Sequence, residues 1–263
     1  MGEWTADDFL AVAHHHGQPV TDRLLVDWTE RGFLAQRRRR GTGRGSTAGT
    51  WSDGQRHLFE LLLNKRPGLT RVTPLANLPV ACWLTIDDDT VPTDQVRRAM
   101  RTWAGHAAGK QALRLAADDV IADLNIADEA RRELRRQLTE LFLTVTATKT
   151  PASRDIERAL RRFLDELVRF HEADHTLTDA YLRTVIARAE GTTPFAAGTD
   201  ARAFSDDDLT MARSHFRDAL HAIAASGSLT EQELFNEILG RACRTLATHL
   251  GHITQARQHR PSA

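Results

Sequence analysis

The 263-residue sequence is poor in several features that would have narrowed its class at once. No apolar run approaches the roughly 18 residues of a membrane-spanning helix, so no membrane segment is expected. The first residues are acidic and polar, unlike a secretory signal. Only two cysteines occur, Cys82 and Cys243, far apart and without metal-type spacing. That usage suits a reducing cytoplasm, with both thiols acting as small core residues. Lys plus Arg and Asp plus Glu both number 35, so the formal net charge is zero. The whole molecule is therefore no electrostatic magnet, and the distribution of charge matters more than its total. No internal repeat is present, and no nucleophile elbow or Cys/His arrangement stands out. What remains is a 41% apolar chain, able to bury a real core in one large or two modest domains.

The first 66 residues read as capped helices around a turn. Thr5 with Asp8 three residues on forms a capping-box pattern, and Phe9, Leu10, Val12 and Ala13 follow as an apolar stripe. Gly17 and Pro19 end that helix. Thr21 is a favoured N-cap for a second helix, with Leu24, Leu25 and Trp28 on its buried side. Gly32 closes it, and Phe33 and Leu34 tuck back. Two short helices joined by about four residues have the grammar of a helix-turn-helix.

Between Gln36 and Thr50 stand Arg37, Arg38, Arg39, Arg40 and Arg44, with no acid. Gly41, Gly43 and Gly45 permit tight turning there. Ser52 and Gln55 then spell a capping box for a third helix with Leu58, Phe59, Leu61, Leu62 and Leu63 on its apolar face. A basic, glycine-rich segment pinned between capped helices is expected to be a β-hairpin wing. Arginine suits phosphate oxygens there, because its planar fork donates two parallel hydrogen bonds. The core of this small domain is expected from Leu24, Leu25, Trp28, Phe33, Leu34, Leu58, Phe59 and Leu62.

The stretch Trp28-Thr29-Glu30-Arg31-Gly32-Phe33-Leu34 resembles the aromatic-x-x-x-Gly-apolar-Leu segment of the MerR-type winged helix-turn-helix regulators. An Arg- and Gly-rich wing, an aromatic residue and a helix follow in the same order, with Trp51 and Ser52 in that place. The likeness covers about residues 4 to 66. It implies a homodimer on double-stranded DNA, with the second helix in the major groove and the wing on the backbone. Thr21 would start the recognition helix and Arg23 would contact a base or a phosphate. Arg37, Arg38, Arg39, Arg40 and Arg44 would hold phosphates. Asp22 and Asp27 also lie on that helix, where an acid repels phosphate but can accept from cytosine.

The rest reads as helical nearly throughout. "KRPGLTRVTP" breaks the chain near Lys65 to Thr73, and "PLANLPVACWL" is a short helix kinked at Pro79 or a connecting segment. Helical patterns then cover Asp94 to Gly105, Lys110 to Leu124, Ala127 to Ala147 and a stripe from Ile156 to Phe170. Another runs from Thr178 to Ala189, closed by Gly191, before a loop through Pro194, Gly198 and Asp200. Ser205 with Asp208, and Thr230 with Glu233, open the last two helices. MerR-type regulators often pair through a coiled coil after the wing. Pro67, Pro74 and Pro79 interrupt that place, so pairing falls to a later helical surface.

Several motifs suggest chemistry. His171-Glu172-Ala173-Asp174-His175 spells H-E-x-x-H, which on a helix puts two zinc-binding histidines one turn apart. Its surroundings are polar, Asp174 lies inside it, and a third ligand is only guessed at in Asp179 or Glu190. It reads more simply as a helix C-terminus, where histidines complement the dipole. Gly105 to Lys110 has one residue too few for a phosphate loop and lacks its preceding strand. Asp87, Asp88 and Asp89 read as a solvated loop, and His14, His15 and His16 as a helix end.

The expectation is thus a mainly α protein: a winged helix-turn-helix with a small β-hairpin wing over 1-66, a connecting segment over 67-93, and an all-helical dimerisation or effector region over 94-263. Its function would be sequence-specific DNA binding as a cytoplasmic transcriptional regulator, not an enzyme, without a cofactor or metal. An effector or protein partner would belong to the helical region. An abundance of Arg, Ala and Thr over Lys points to a GC-rich bacterial genome. The alternatives are an accessory protein of plasmid or mobile-element partition and, more distantly, a zinc-dependent hydrolase through His171 and His175.

Overall fold

A computed structural model describes residues 2–40, 47–68, 73–86, 90–107, 117, 121, 128–145, 158, 161–163, 165, 175–225 and 231–258. The chain is mainly helical, with a small antiparallel sheet near its N-terminus. The described residues divide into two compact units, Met1–Trp103 with Leu209–Cys243, and Ala104–Asp208 with Arg244–Ala263. Residues 1–66 lie within the first, together with 67–103.

In the first unit, α1 (Ala6–His15) begins at Thr5, whose hydroxyl accepts from Asp8 N–H while Asp8 accepts from Thr5 N–H at 2.8 Å. The Thr5 N–H, and then the Thr5 hydroxyl at 2.7 Å, donate to the Asp8 carboxyl and hold it below its ordinary range. Thr21 caps α2 (Asp22–Glu30) through Leu24 N–H. Both helices end alike. Gly17 (φ 67°) and Gly32 (φ 77°) take left-handed backbone, and the next residue donates back five positions: Gln18 to Ala13, Phe33 to Trp28. This is the Schellman closure, which satisfies carbonyls that the helix leaves open. Ser52 caps α3 (Asp53–Lys65).

β2 (Arg38–Arg40) pairs antiparallel with β3 (Thr47–Ser52), Arg38 opposite Thr50 and Arg40 opposite Thr47. The register slips by one residue there, a bulge on β3 that Gly49 accommodates. A Cβ on Gly49 would stand 2.6 Å from Arg37 Cβ. β1 (Glu3–Trp4), which no sequence pattern marks, adds to the far edge of β3 and makes the sheet order β1-β3-β2. Two residues are too few for a legible alternation.

An aromatic cluster joins these elements. Phe9 stacks on Trp51 at 4.5 Å and meets Phe59 at 4.6 Å, and Trp28 meets Phe59 and Phe33 edge-on. Seven of the eight expected core residues are buried, whereas Leu24 is half-buried. The stretch from Asn77 is a helix, α4 (Asn77–Thr85), with Pro79 in its first turn, where a missing N–H costs nothing. Asn77 to Leu84 are all buried, which explains a sequence apolar all round. Its C-terminal carbonyls are taken by α9 (Asp206–Ala225): Arg217 donates to Leu84 O at 3.0 Å and Ile86 O at 2.8 Å, and Arg213 also reaches Ile86 O. Burial pushes the Cys82 thiol up to about 11 and Cys243 well above its ordinary value, so both stay protonated and free.

In the second unit α6 (Asp128–Val145) packs on α7 (His175–Ala196). Gly191 does not close a helix as expected, because α7 runs on through Pro194 to Ala196, and Gly198 (φ 68°) ends it. Gly191 is there for contact. A Cβ on it would collide with Ala247 O of α10 (Glu231–Gln258), and one on Gly251 would collide with Ala187 O. The short α8 (Asp200–Ala203) leads to Phe204, stacked on Phe195 at 5.6 Å. Ser205 and Asp208 form the expected reciprocal cap. Burial raises the Asp208 carboxyl, but hydrogen bonds from Ser205 and the Arg257 ion pair outweigh it and hold it low. α10 continues past His249 to Gln258.

Gly191→Ala is expected to lower stability by about 1–3 kcal/mol through overpacking. Gly240→Ala, on the same α10 but facing open space, should raise it by about 0.5–1 kcal/mol. Urea unfolding monitored by circular dichroism separates the two; equal shifts would remove the close helix crossing.

Candidate nucleic-acid interface

The candidate interface is the outer side of α2 and the hairpin beside it. Leu25 and Trp28 turn inward, whereas Asp22, Arg23, Val26 and Glu30 are exposed. Arg23 therefore stands in solvent near the helix start, and Thr21 is exposed while serving as the cap. Asp27 is not a bare acid, since Arg31 pairs with it at 2.8 Å. A groove lies between α2 and the hairpin, lined by Val26, Thr29, Glu30, Gln36, Arg37 and Gly49.

The arginines divide. Arg37 is half-buried with its guanidinium 4.7 Å above the Trp51 ring, so it anchors the hairpin root as well as carrying charge. Arg38 is exposed. Arg39 and Arg40 belong to β2 by their backbone. Arg44 and the turn glycines Gly41, Gly43 and Gly45 lie outside the described residues.

The position of the hairpin relative to α2 is set by one buried glutamine. Gln55 was expected to complete a capping box with Ser52. Ser52 does cap Gln55 N–H, but the Gln55 side chain turns inward and is 3% exposed. Its Oε1 accepts from Ala35 N–H at 2.7 Å, and its Nε2 donates to Thr90 O at 2.5 Å and Gln95 Oε1 at 2.8 Å. Trp51 Nε1 donates to Ala35 O at 2.8 Å. Both backbone groups of Ala35, where the chain leaves α2 for the hairpin, are thus held by side chains.

Helix α5 (Thr93–Ala107) holds the other end. Gln95 Nε2 donates to Phe33 O at 3.0 Å, Arg98 Nε to Thr29 O at 3.2 Å, and Thr102 Oγ1 to Arg31 O at 2.9 Å. Residues 95, 98 and 102 share one helix face, and together they donate to carbonyls of the last turn of α2 and the residues after it. Gly32 permits this approach, since a Cβ there would lie 2.6 Å from Gln95 O and from Arg98 Cβ. None of these three was singled out from sequence. A polar i, i+3, i+7 stripe is ordinarily a solvated face, and only the structure shows Gln95 fully buried.

At the far edge, Asp53 accepts from Trp4 Nε1 at 2.8 Å and Gly2 N–H at 2.6 Å. Those bonds, Trp4 first, hold its carboxyl below the ordinary range. Arg56 lies over Trp4 at 4.5 Å, which fastens β1 to α3.

The tempting motifs gain little. Residues 171–174 of H-E-x-x-H lie outside the described residues, as do Asp87 to Asp89, and His175 begins α7. Glu190, one guessed third ligand, accepts from Gln255 at 2.8 Å. Gly105 and His106 sit inside α5, so no phosphate loop starts there. Among the described residues no group of three His, Cys, Asp or Glu side chains is placed to hold a metal ion, and no helix is long and apolar enough to cross a membrane. Comparison of the chain with protein families, curated proteins and solved structures found no match.

Gln55→Leu keeps the volume but strands Ala35 N–H and Thr90 C=O. At roughly 1–3 kcal/mol per stranded buried group, it is expected to destabilise the protein by about 2–6 kcal/mol, read from the midpoint of urea unfolding. A shift below about 0.5 kcal/mol would mean the network is replaceable by packing.

Proposed function

We propose that the chain is a transcriptional regulator that binds double-stranded DNA sequence-specifically. In this reading residues 1–66 act as a winged helix-turn-helix like that of the MerR-type regulators. Helix α2 enters the major groove and the β2–β3 hairpin is the wing. Arg38, Arg39, Arg40 and Arg44 neutralise phosphates, Arg37 does so from its place on Trp51, and Arg23 reaches base edges or the neighbouring phosphate. Two copies bind as a homodimer through the helical remainder, which also takes an effector or protein partner, in a bacterial cytoplasm.

One observation carries the reading: the exposed face of α2 and the root of an arginine-rich strand flank a single groove. They are fixed together through Ala35 rather than by a loose linker. Phosphate contacts supply affinity and register, while base edges supply specificity. A helix and a basic hairpin held side by side offer both. The Asp27–Arg31 pair removes one acid that would oppose a phosphate.

The test is selection of the full chain on a pool of random-sequence duplexes at two salt concentrations, with the bound fraction sequenced. Enrichment of an inverted repeat is expected, and no binding at low salt would overturn the reading. Salt-sensitive binding without enrichment would overturn its sequence-specific part and favour a maintenance role. On the enriched duplex, Arg38→Ala should lower the slope of log affinity against log salt by about 0.9, the loss of one phosphate contact. An unchanged slope would take Arg38 off the backbone.

A further inference from the structure

The exposed face of α2 carries a side chain that solvent does not explain. Arg23, Val26 and Glu30 follow at i, i+3 and i+7, and between the two charged residues Val26 is 48% exposed. Other apolar residues are comparably exposed, among them Ile86 and Met211. Val26 differs in lining the groove that Arg37 and Gly49 of the hairpin also line.

We infer that this stripe is a base-reading surface, with Val26 seated on the 5-methyl group of a thymine and Arg23 on a guanine close by. The inference rests on the DNA-binding reading and adds what is read. In the major groove of DNA the thymine methyl is the apolar group on the base edges, and an aliphatic side chain is its complement. Arg23 fits guanine, whose O6 and N7 match a guanidinium fork. Three residues of helix rise about 4.5 Å, and stacked bases along one strand are about 3.4 Å apart. The guanine therefore lies within two base pairs of the thymine. Glu30, one turn further along, is an acceptor suited to cytosine N4 and unsuited to a phosphate. That places this stripe over bases and leaves the backbone to the hairpin. RNA does not satisfy the surface, since its deep, narrow major groove is closed to side chains.

The experiment uses the full chain and the duplex enriched in the selection. Each thymine is replaced in turn by uracil, which removes the methyl group and keeps the base pair. At one thymine per half-site, wild-type affinity is expected to fall about fourfold, the size of one methyl returned to water. Val26→Ala should bind the thymine and uracil duplexes equally. Arg23→Ala should lose its preference for the guanine within two base pairs of that thymine. Val26 is exposed, so a thermal melt matching the wild type is expected for the variant. The inference is overturned if uracil at every thymine position leaves wild-type affinity unchanged, or if Val26→Ala keeps the full uracil penalty. Either result with an enriched site in hand sinks the readout alone, whereas failure to enrich any duplex sinks the DNA-binding reading with it.

Discussion

The arrangement of the first unit depends on the buried amide of Gln55. A side-chain amide offers two donors and an acceptor in one plane. Here three of its hydrogen bonds go to Ala35 N–H, Thr90 O and Gln95 Oε1. The first fixes the chain as it leaves α2, the second fixes the approach to α5, and the third passes the constraint through Gln95 to Phe33 O. An apolar residue would fill the same space without specifying where the hairpin root sits, because dispersion has no direction. Buried and fully engaged polar groups of this kind select one arrangement from several of similar packing.

Helix α5 extends the constraint. Its Arg98 and Thr102 reach the carbonyls of Thr29 and Arg31 at the C-terminal end of α2, the first of which also accepts from Gly32 N–H. The cation of Arg98 there also complements the negative end of the α2 dipole. α2 is nine residues long and too short to be stable alone. Its stability and its outward face therefore derive from Leu25 and Trp28 below it, Thr21 at one end and α5 at the other.

What was legible in the sequence follows from these causes. Caps are local, so Thr5 with Asp8, Thr21, Ser52, and Ser205 with Asp208 all read correctly within four residues, as did Gly17 and Gly32. The aromatic core was legible because Phe9, Trp28 and Phe59 each lie on the apolar stripe of their own helix. Gln55 was misread because S-x-x-Q offers two outcomes for the same side chain, and only the distant Ala35 and Gln95 decide between them. Gly191 was misread for the same reason. A glycine that ends a helix and one that lets another helix approach are alike in sequence, and the difference lies in Ala247 some fifty residues on. β1 has two residues and no pattern, and the inward i, i+3, i+7 face of α5, of which only Gln95 is fully buried, looks like a solvated one. Of the interface, the arginines and Arg23 were visible as residue types, while the stacking of Arg37 on Trp51 and the exposure of Val26 were not.

A net charge of zero is compatible with a surface that attracts a polyanion, because screening makes the relevant charge local. At 0.1 M salt the Debye length is about 10 Å. Acids farther away than that do not cancel the arginines of the hairpin one for one. Along the sequence the pattern is uneven: five arginines and no acid occur from Gln36 to Thr50, whereas Asp27 on α2 is already matched by Arg31. The remaining acids of α2, Asp22 and Glu30, stand on its exposed face. That division suits a ligand whose charge lies on its edges and whose hydrogen-bond donors and methyl groups lie on its floor. In the proposed reading the hairpin meets the first, and the helix, with one cation, one aliphatic group and one carboxylate in a row, meets the second.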